Sequence, residues 1–316
     1  MNWICRSFAM MTLAFRVMAA ALLATTALAL QAAPLLFHDH GHGLAFSVDG
    51  KALLAPSHGG LSVYQGGVWS EASGPIQGFS GFSVAEHAIY SSGHSRPGVP
   101  ANEAVGLLRS RDGGKTWAPL APALMGKADF RFLAAGHRSN AIYVLNAQLN
   151  PVMPERGLYV TLDEGKNWRR AAARGLEGEI HGISAHPLRA DVVAVATGRG
   201  LYLSRDGGDR FARLDGREAA TAVGFDFEGK RLRYARALSN EIVEVALEGK
   251  GRKALRVPAL GLDYVTCLAQ NPADERVIAF ATRRRDVYLS ADGGASWRRI
   301  ATGEDRDGSA APGKAD

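Results

Sequence analysis

Ser110-Arg111-Asp112-Gly113-Gly114-Lys115-Thr116-Trp117 decides the reading of this chain, because close copies of it recur downstream and set a period. The copies are Thr161-Leu162-Asp163-Glu164-Gly165-Lys166-Asn167-Trp168, Ser204-Arg205-Asp206-Gly207-Gly208-Asp209-Arg210-Phe211 and Ser290-Ala291-Asp292-Gly293-Gly294-Ala295-Ser296-Trp297. The shared pattern, Ser/Thr-x-Asp-x-Gly-x-x-aromatic, describes a tight hairpin turn. A short acidic side chain accepts hydrogen bonds from backbone N–H groups two residues on, glycine supplies a positive φ, and the aromatic ring packs beneath. On this reading Asp112, Asp163, Asp206 and Asp292, with Trp117, Trp168 and Trp297, are structural.

The four aspartates are spaced by 51, 43 and 86 residues. The last gap is twice the one before it, so a worn copy is expected between, and Ala246-Leu247-Glu248-Gly249-Lys250-Gly251 fills the slot with Glu248 in the aspartate position. Upstream, Ser62-Val63-Tyr64-Gln65-Gly66-Gly67-Val68-Trp69 keeps the serine, glycine and tryptophan and puts Tyr64 in that position. The total is six repeats. Between turns lie short strand-like runs, clearest in Ile180–Ala185, Val192–Ala196, Gly200–Ser204 and Phe211–Leu214. Four strands per unit at a period of roughly 40 to 50 residues indicate a β-propeller. The fold expected is all-β, with six blades, no strand borrowed from the N-terminus, and the aspartate turns joining strands 3 and 4. Seven blades is the competing count.

Residues 1–33 read as a secretory signal, with Arg6 and Arg16 ahead of the apolar run Val17–Ala24 and small residues at Ala27, Ala29, Ala32 and Ala33. Residues 34–302 are then a single propeller domain, in the periplasm or secreted, and 303–316, without an apolar face, a disordered tail. Later apolar runs fall short of the roughly 20 residues a membrane span needs. Cys5 lies in the signal, which leaves Cys267 as a lone thiol in an apolar strand, read as a small hydrophobe. A net charge of +6 without an RNA-binding signature argues against nucleic acid. The arginine knots Arg169-Arg170, Arg283-Arg284-Arg285 and Arg298-Arg299 suit either solvated blade edges or acidic glycans and lipid headgroups.

The repeated Ser-x-Asp-x-Gly-x-Thr-Trp motif resembles the BNR or Asp-box repeat of sialidases and of many non-catalytic propellers, among them sortilin-type receptors, photosystem assembly factors and several glycoside hydrolases. The opening His40-Gly41-His42-Gly43-Leu44-Ala45-Phe46, with Ser57-His58-Gly59-Gly60-Leu61 and Ser92-Gly93-His94, is similar to a bacterial glycosylhydrolase-like group. The resemblance implies a sialidase-like propeller over nearly the whole mature chain.

Antiparallel strands put the 1–2 and 3–4 turns on one face and the 2–3 and 4–1 connections on the other, so any site at the mouth opposite the aspartate turns must come from the second set. His87, His137 and His186 fall on the turn face and read as surface residues. His38, His40, His42, His58, His94 and His181 fall at the mouth. Alternate residues of an extended segment point the same way, so His38, His40 and His42, with His58 and His94, could bind copper or zinc.

A sialidase-type site implies an arginine clamp, a tyrosine nucleophile with a glutamate partner, and an acid/base aspartate. Weak catalytic candidates at the mouth are Asp129, Arg131, Glu179, Tyr264 and Arg283; Arg156, Asn240, Glu241, Asp263, Arg284 and Arg285 lie beside them. The place where sialidases carry their first arginine holds Asp39-His40-Gly41-His42 instead, which removes one limb of the clamp. The expectation is therefore a ligand- or metal-binding or interaction module without sialidase activity. His58, His94, Arg199 and Glu155 are its ligand-binding candidates. The alternatives are a glycoside hydrolase acting on glycans and a monomeric scaffold for a periplasmic protein. The Pro/Gly-rich connection Ser91–Val105 would act as a lid, and Asn146–Arg156, with Pro151 and Pro154, as its neighbour.

Overall fold

The computed structural model describes residues 43–57, 60–72, 76–95, 104–216 and 218–303, in which the regular structure is β-strand apart from one short 3-10 helix at Pro122–Leu124. The leader, His38, His40, His42, His58, the segment 96–103 and the tail from residue 304 lie outside the described residues. Twenty-four strands form six four-stranded antiparallel sheets, each built from consecutive strands. Blade 1 comprises β1 (Ala45–Phe46), β2 (Leu53–Ser57), β3 (Gly60–Gln65) and β4 (Val68–Ala72). Blade 2 comprises β5 (Ile76–Ala85), β6 (Ala88–Ser95), β7 (Ala104–Ser110) and β8 (Ala118–Pro119), and blade 3 β9 (Leu133–Ala135), β10 (Ile142–Asn146), β11 (Gly157–Thr161) and β12 (Arg169–Arg170). Blade 4 comprises β13 (Ile180–Ala185), β14 (Val193–Thr197), β15 (Gly200–Ser204) and β16 (Ala212–Asp215). Blade 5 comprises β17 (Ala220–Phe225), β18 (Arg231–Arg236), β19 (Glu241–Ala246) and β20 (Lys253–Arg256), and blade 6 β21 (Val265–Gln270), β22 (Ile278–Thr282), β23 (Val287–Ser290) and β24 (Arg298–Ala301).

The ring closes because β1 packs on both β5 and β21. No strand is exchanged between blades 1 and 6. Side chains hold that seam instead: Trp69 Nε1 donates to Ile300 O at 2.8 Å, Arg298 Nη2 to Tyr64 Oη at 2.9 Å, and Asn271 Nδ2 to Gly50 O at 2.8 Å.

The apolar core is divided into six clusters, one for each seam between neighbouring blades. This follows from the two-residue period of a strand with both faces covered. In blade 4, Val193 and Val195 join the seam with blade 3, while Val192, Ala194 and Ala196 join the seam with blade 5, and all five are fully buried. Each buried valine contributes about 1.5–3 kcal/mol relative to exposure.

The four aspartate turns share one hydrogen-bond pattern. Ser110 Oγ donates to Asp112 Oδ1 at 2.8 Å and accepts Gly114 N–H at 2.8 Å, while Asp112 accepts Thr116 N–H at 2.9 Å and its hydroxyl at 2.5 Å. Thr161/Asp163/Asn167, Ser204/Asp206/Arg210 and Ser290/Asp292/Ser296 repeat it. The expected N–H donor two residues after the aspartate is therefore corrected to the one four residues on, and the serine or threonine two residues before it closes the loop. Donation from Thr116 holds the Asp112 carboxyl at about 2, and the equivalent donors Asn167 and Ser296 do the same for Asp163 and Asp292. Asp206 is lowered by the Arg210 backbone N–H, without the side-chain donor the others have at that position.

The two worn copies are not turns of this kind. Ser62 and Tyr64 lie inside β3, and the chain reverses at Gly66-Gly67, with φ of 61° and 87°, as a two-residue hairpin. Tyr64 instead packs against Trp69 at a tilt, with 5.1 Å between ring centres. The turn after Ala246 closes by backbone alone, through Ala246 N to Lys250 O at 3.0 Å and Gly249 N to Ala246 O at 2.8 Å.

Two turn-face histidines also depart from a surface role. His186 is buried: its Nε2–H donates to Gly229 O in blade 5 at 2.9 Å, and its Nδ1 accepts the N–H groups of Leu188 and Arg189, both at 3.1 Å. It ties blade 4 to blade 5. His137 is half-buried edge-on against Phe227 at 4.7 Å, and only His87 is exposed as expected.

Candidate functional site

The mouth opposite the aspartate turns is built from the starts of the six innermost strands and the 2–3 connections. Arg283 N donates to Tyr264 O at 2.9 Å, Gly198 N to Glu179 O at 3.0 Å, and Leu238 N and Ser239 N to Glu218 Oε2, both at 3.0 Å. These bonds place both sets of connections on one surface, as the strand directions require.

A bulge recurs where the innermost strand begins. The pairing skips one residue between Phe79 and Gly81, Ile180 and Gly182, Ala220 and Ala222, and Val265 and Cys267. The extra residues are Ser80, His181, Thr221 and Thr266, all polar. Bulges re-aim side chains at the rims of closed sheets; here His181 Nδ1–H reaches Ala220 O in the next blade at 3.0 Å, and Thr266 donates to Ala281 O at 3.3 Å. Sequence reasoning missed this device, although its signal, an apolar, polar, small triplet opening each inner strand, is visible in four blades.

Asp129 stands before blade 3 and accepts the hydroxyls of Ser80, from the neighbouring bulge, and Ser92 at 3.2 Å. His94 is nearby, its Nε2 4.0 Å from Asp129 Oδ2, too far for a hydrogen bond. The serines bond directly to the carboxylate rather than to an imidazole. Asp263 is buried beneath its loop and accepts Tyr264 N at 2.9 Å and Arg284 N at 3.2 Å. Glu155 lies 3.3 Å from Arg170. Glu179 is exposed, and among the described residues its carboxylate has no partner.

Tyr264 has no carboxylate partner among the described residues. Three buried tyrosines do: Tyr90 with Glu164 at 3.5 Å, Tyr288 with Asp286 at 3.4 Å, and Tyr234, which donates to Asp215 beside Arg236. Burial first, and then the Asp215 bond, pushes the Tyr234 phenol up to about 12, and the residue is only 2% exposed. That pair ties blade 4 to blade 5 and is closed to a substrate.

The arginines that reach the mouth are of two kinds. Arg170 pairs with Glu155, Arg236 with Asp215 and Glu241, and Arg299 with Asp286, as Arg138, Arg169, Arg189 and Arg276 pair with carboxylates on the turn face. At the mouth Arg131, Arg156, Arg199, Arg283 and Arg284 are exposed, and among the described residues their guanidinium groups have no carboxylate partner. Arg131 lies against the Phe132 ring, 5.7 Å from its centre. It stands two residues before β9, the first strand of blade 3. Desolvation pushes the partly exposed Cys267 thiol up to about 11, which keeps it neutral. Among the described residues no group of three or more His, Cys, Asp or Glu is placed to hold a metal ion, and His94 is the one proposed histidine ligand they include.

The connection after β10 is rigid. Asn146 Nδ2 donates to Met153 O and Glu155 O at 3.1 and 2.8 Å, and Asn150 Oδ1 accepts Met153 N at 2.8 Å. Buried Met153 plugs it from below, and Leu149 is left standing at its tip.

These features define a six-bladed β-propeller with a polar, arginine-bearing mouth. Among solved structures the chain is similar to a GH74 enzyme from Niastella koreensis, at 14% identity over 82% of this chain and 45% of that one, with a TM-score of 0.57. It is also similar to an ancestral GH74 enzyme (13%, covering 84% and 39%, TM-score 0.50) and to a chain of the nidogen–laminin complex (16%, covering 79% and 93%, TM-score 0.59). The chain spans less than half the length of the two enzymes, and at these identities the similarity is one of fold. No family model matches the sequence, and no curated protein matches it. Among the described residues no helix is long and apolar enough to cross a membrane.

Proposed function

We propose that this chain is a recognition propeller, exported by its leader, that binds an anionic ligand at the mouth and does not hydrolyse glycans. The observation that carries the reading is the excess of unpaired cations there: Arg131, Arg156, Arg199, Arg283 and Arg284 are exposed and lack carboxylate partners among the described residues, against Glu177 and Glu179 in the same state, while Asp129 and Asp263 hold loops. Glycoside hydrolysis needs two free carboxyl groups facing one sugar, or a tyrosine nucleophile with its carboxylate open to substrate. Tyr234 with Asp215 has the second chemistry in a buried seam. The turns, which carry the pattern of Asp-box repeats, serve the scaffold. The propeller in the nidogen–laminin complex lends support by fold analogy.

The test is binding of fluorescent poly-L-glutamate and of neutral dextran, by anisotropy, with charge reversal at the mouth (Arg199→Glu with Arg283→Glu) and on the turn face (Arg276→Glu). The reading expects poly-L-glutamate alone to bind and only the mouth variant to lose it. Turnover of a glycoside panel, or equal loss in both variants, contradicts it.

A further inference from the structure

Three leucines on the mouth face are exposed far beyond what a core residue tolerates: Leu149 at 66%, Leu238 at 85% and Leu262 at 95%. Each stands on a braced loop. Leu149 caps the rigid connection of blade 3, the N–H of Leu238 is held by Glu218, and Leu262 tops the turn closed by Asp263 N to Leu260 O at 3.1 Å. Ordered loops holding apolar side chains in water are preorganised for a partner, since the entropy of ordering them is already lost. Arg283 and Arg284, in the same blade as Leu262, are exposed and lack carboxylate partners among the described residues.

Resting on the reading of the mouth as an anion-binding face, we infer that its ligand is an acidic polypeptide segment carrying apolar side chains. Its carboxylates meet the mouth arginines, Arg131 among them, and its apolar side chains pack on Leu149, Leu238 and Leu262. Guanidinium groups pair with carboxylates in bidentate fashion, and apolar contacts beside such pairs exclude water from them. A flat anionic membrane fits less well. It would present uniform negative charge to exposed Glu177 and Glu179 on the same face, whereas a peptide can set its carboxylates opposite the arginines alone. A carbohydrate polyanion would leave the leucines without a role.

The experiment measures binding of the full chain, by anisotropy and by vesicle sedimentation, to a synthetic peptide alternating glutamate with leucine, to poly-L-glutamate, and to vesicles of phosphatidylglycerol and phosphatidylcholine in equal parts. The variants are Arg283→Glu with Arg284→Glu, Arg131→Gln, and Leu238→Ser with Leu262→Ser, each with its melting curve. The inference expects the glutamate–leucine peptide to bind more tightly than poly-L-glutamate, and all three variants to weaken it by about tenfold or more with unchanged melting. The leucine variant should leave poly-L-glutamate binding as it was. If both polymers bind alike and the leucine variant changes neither, the inference fails while the anion-binding reading stands. Vesicle binding that depends on the leucines, without peptide binding, replaces the polypeptide with a membrane. If no anionic probe binds, both readings fail.

Discussion

Gly208 lies directly against Leu158: a methyl group built on Gly208 would stand 2.9 Å from Leu158 Cδ2 and 3.0 Å from Ala171 Cβ, both in the preceding blade. The glycine two residues after the aspartate makes the same approach in every aspartate turn. Gly114 meets Leu61, Gly165 meets Leu120, and Gly294 meets Leu255, at 3.2, 3.1 and 2.9 Å. The turns are therefore fasteners between blades, and their glycines are required twice, by a positive φ and by the neighbour's side chain.

Gly208→Val should destabilise the chain by at least about 2 kcal/mol, since it combines a φ of 90° with overpacking of the seam. Gly113→Asn is the control, because Gly113 has a φ of 76° but nothing within 4 Å, and asparagine tolerates that backbone. It should change stability by no more than about 0.5 kcal/mol. Urea unfolding of both variants measures the difference.

Ser110→Ala should cost about 1–3 kcal/mol, because Ser110 is buried and the Gly114 N–H it accepts would lose its partner. Ser110→Thr should restore most of it, since Thr161 does the same work in blade 3. Thermal melts of the two variants check this.

Acid should loosen the turns in a defined window. The carboxyls of Asp112, Asp163 and Asp292 are lowered from 3.8 to about 2 in the folded chain, so the stability they contribute is complete above the unfolded value and is lost as pH falls through the folded one. Melting temperature should fall between about pH 4 and 2. Asp112→Asn should begin lower and show a shallower fall across that window.

His186 acts in a different range. Desolvation lowers its folded pKa below 6.5, and its Nδ1 is already an acceptor for two N–H groups, so protonation favours the unfolded chain. Stability should be complete above the unfolded value of 6.5 and decline as pH falls below it. His137, also lowered by desolvation, adds to the decline. His186→Gln should be less stable at neutral pH and less sensitive to pH in that range, as read by melting temperature.

Much of this architecture is legible in the sequence because the aspartate turn is a local device, with all its hydrogen-bond partners within four residues. Its spacing gives six blades and its position gives the faces. In blade 4 the strands read from apolar runs start within one residue of those observed. What could not be read depends on partners distant in sequence. Tyr64 looked like a replaced aspartate because β3 extends past it to a Gly-Gly hairpin, and His186 looked like a surface turn because Gly229, 43 residues away, supplies its acceptor. The Tyr234–Asp215 pair escaped for the same reason. At the mouth, which carboxylates hold loops and which arginines lack partners is decided by packing.

The account's central claim is a division of labour between the two faces, and one paired measurement tests it. The chain with Asp112→Asn, Asp163→Asn, Asp206→Asn and Asp292→Asn together, and the chain with Arg283→Glu and Arg284→Glu, are each measured for melting temperature and for dissociation constant toward the glutamate–leucine peptide well below melting. The account predicts that the aspartate variants lower the melting temperature and leave the dissociation constant unchanged, while the arginine variants weaken binding about tenfold or more and leave the melting temperature unchanged. Loss of binding in the folded aspartate variants, with binding intact in the arginine variants, would contradict it.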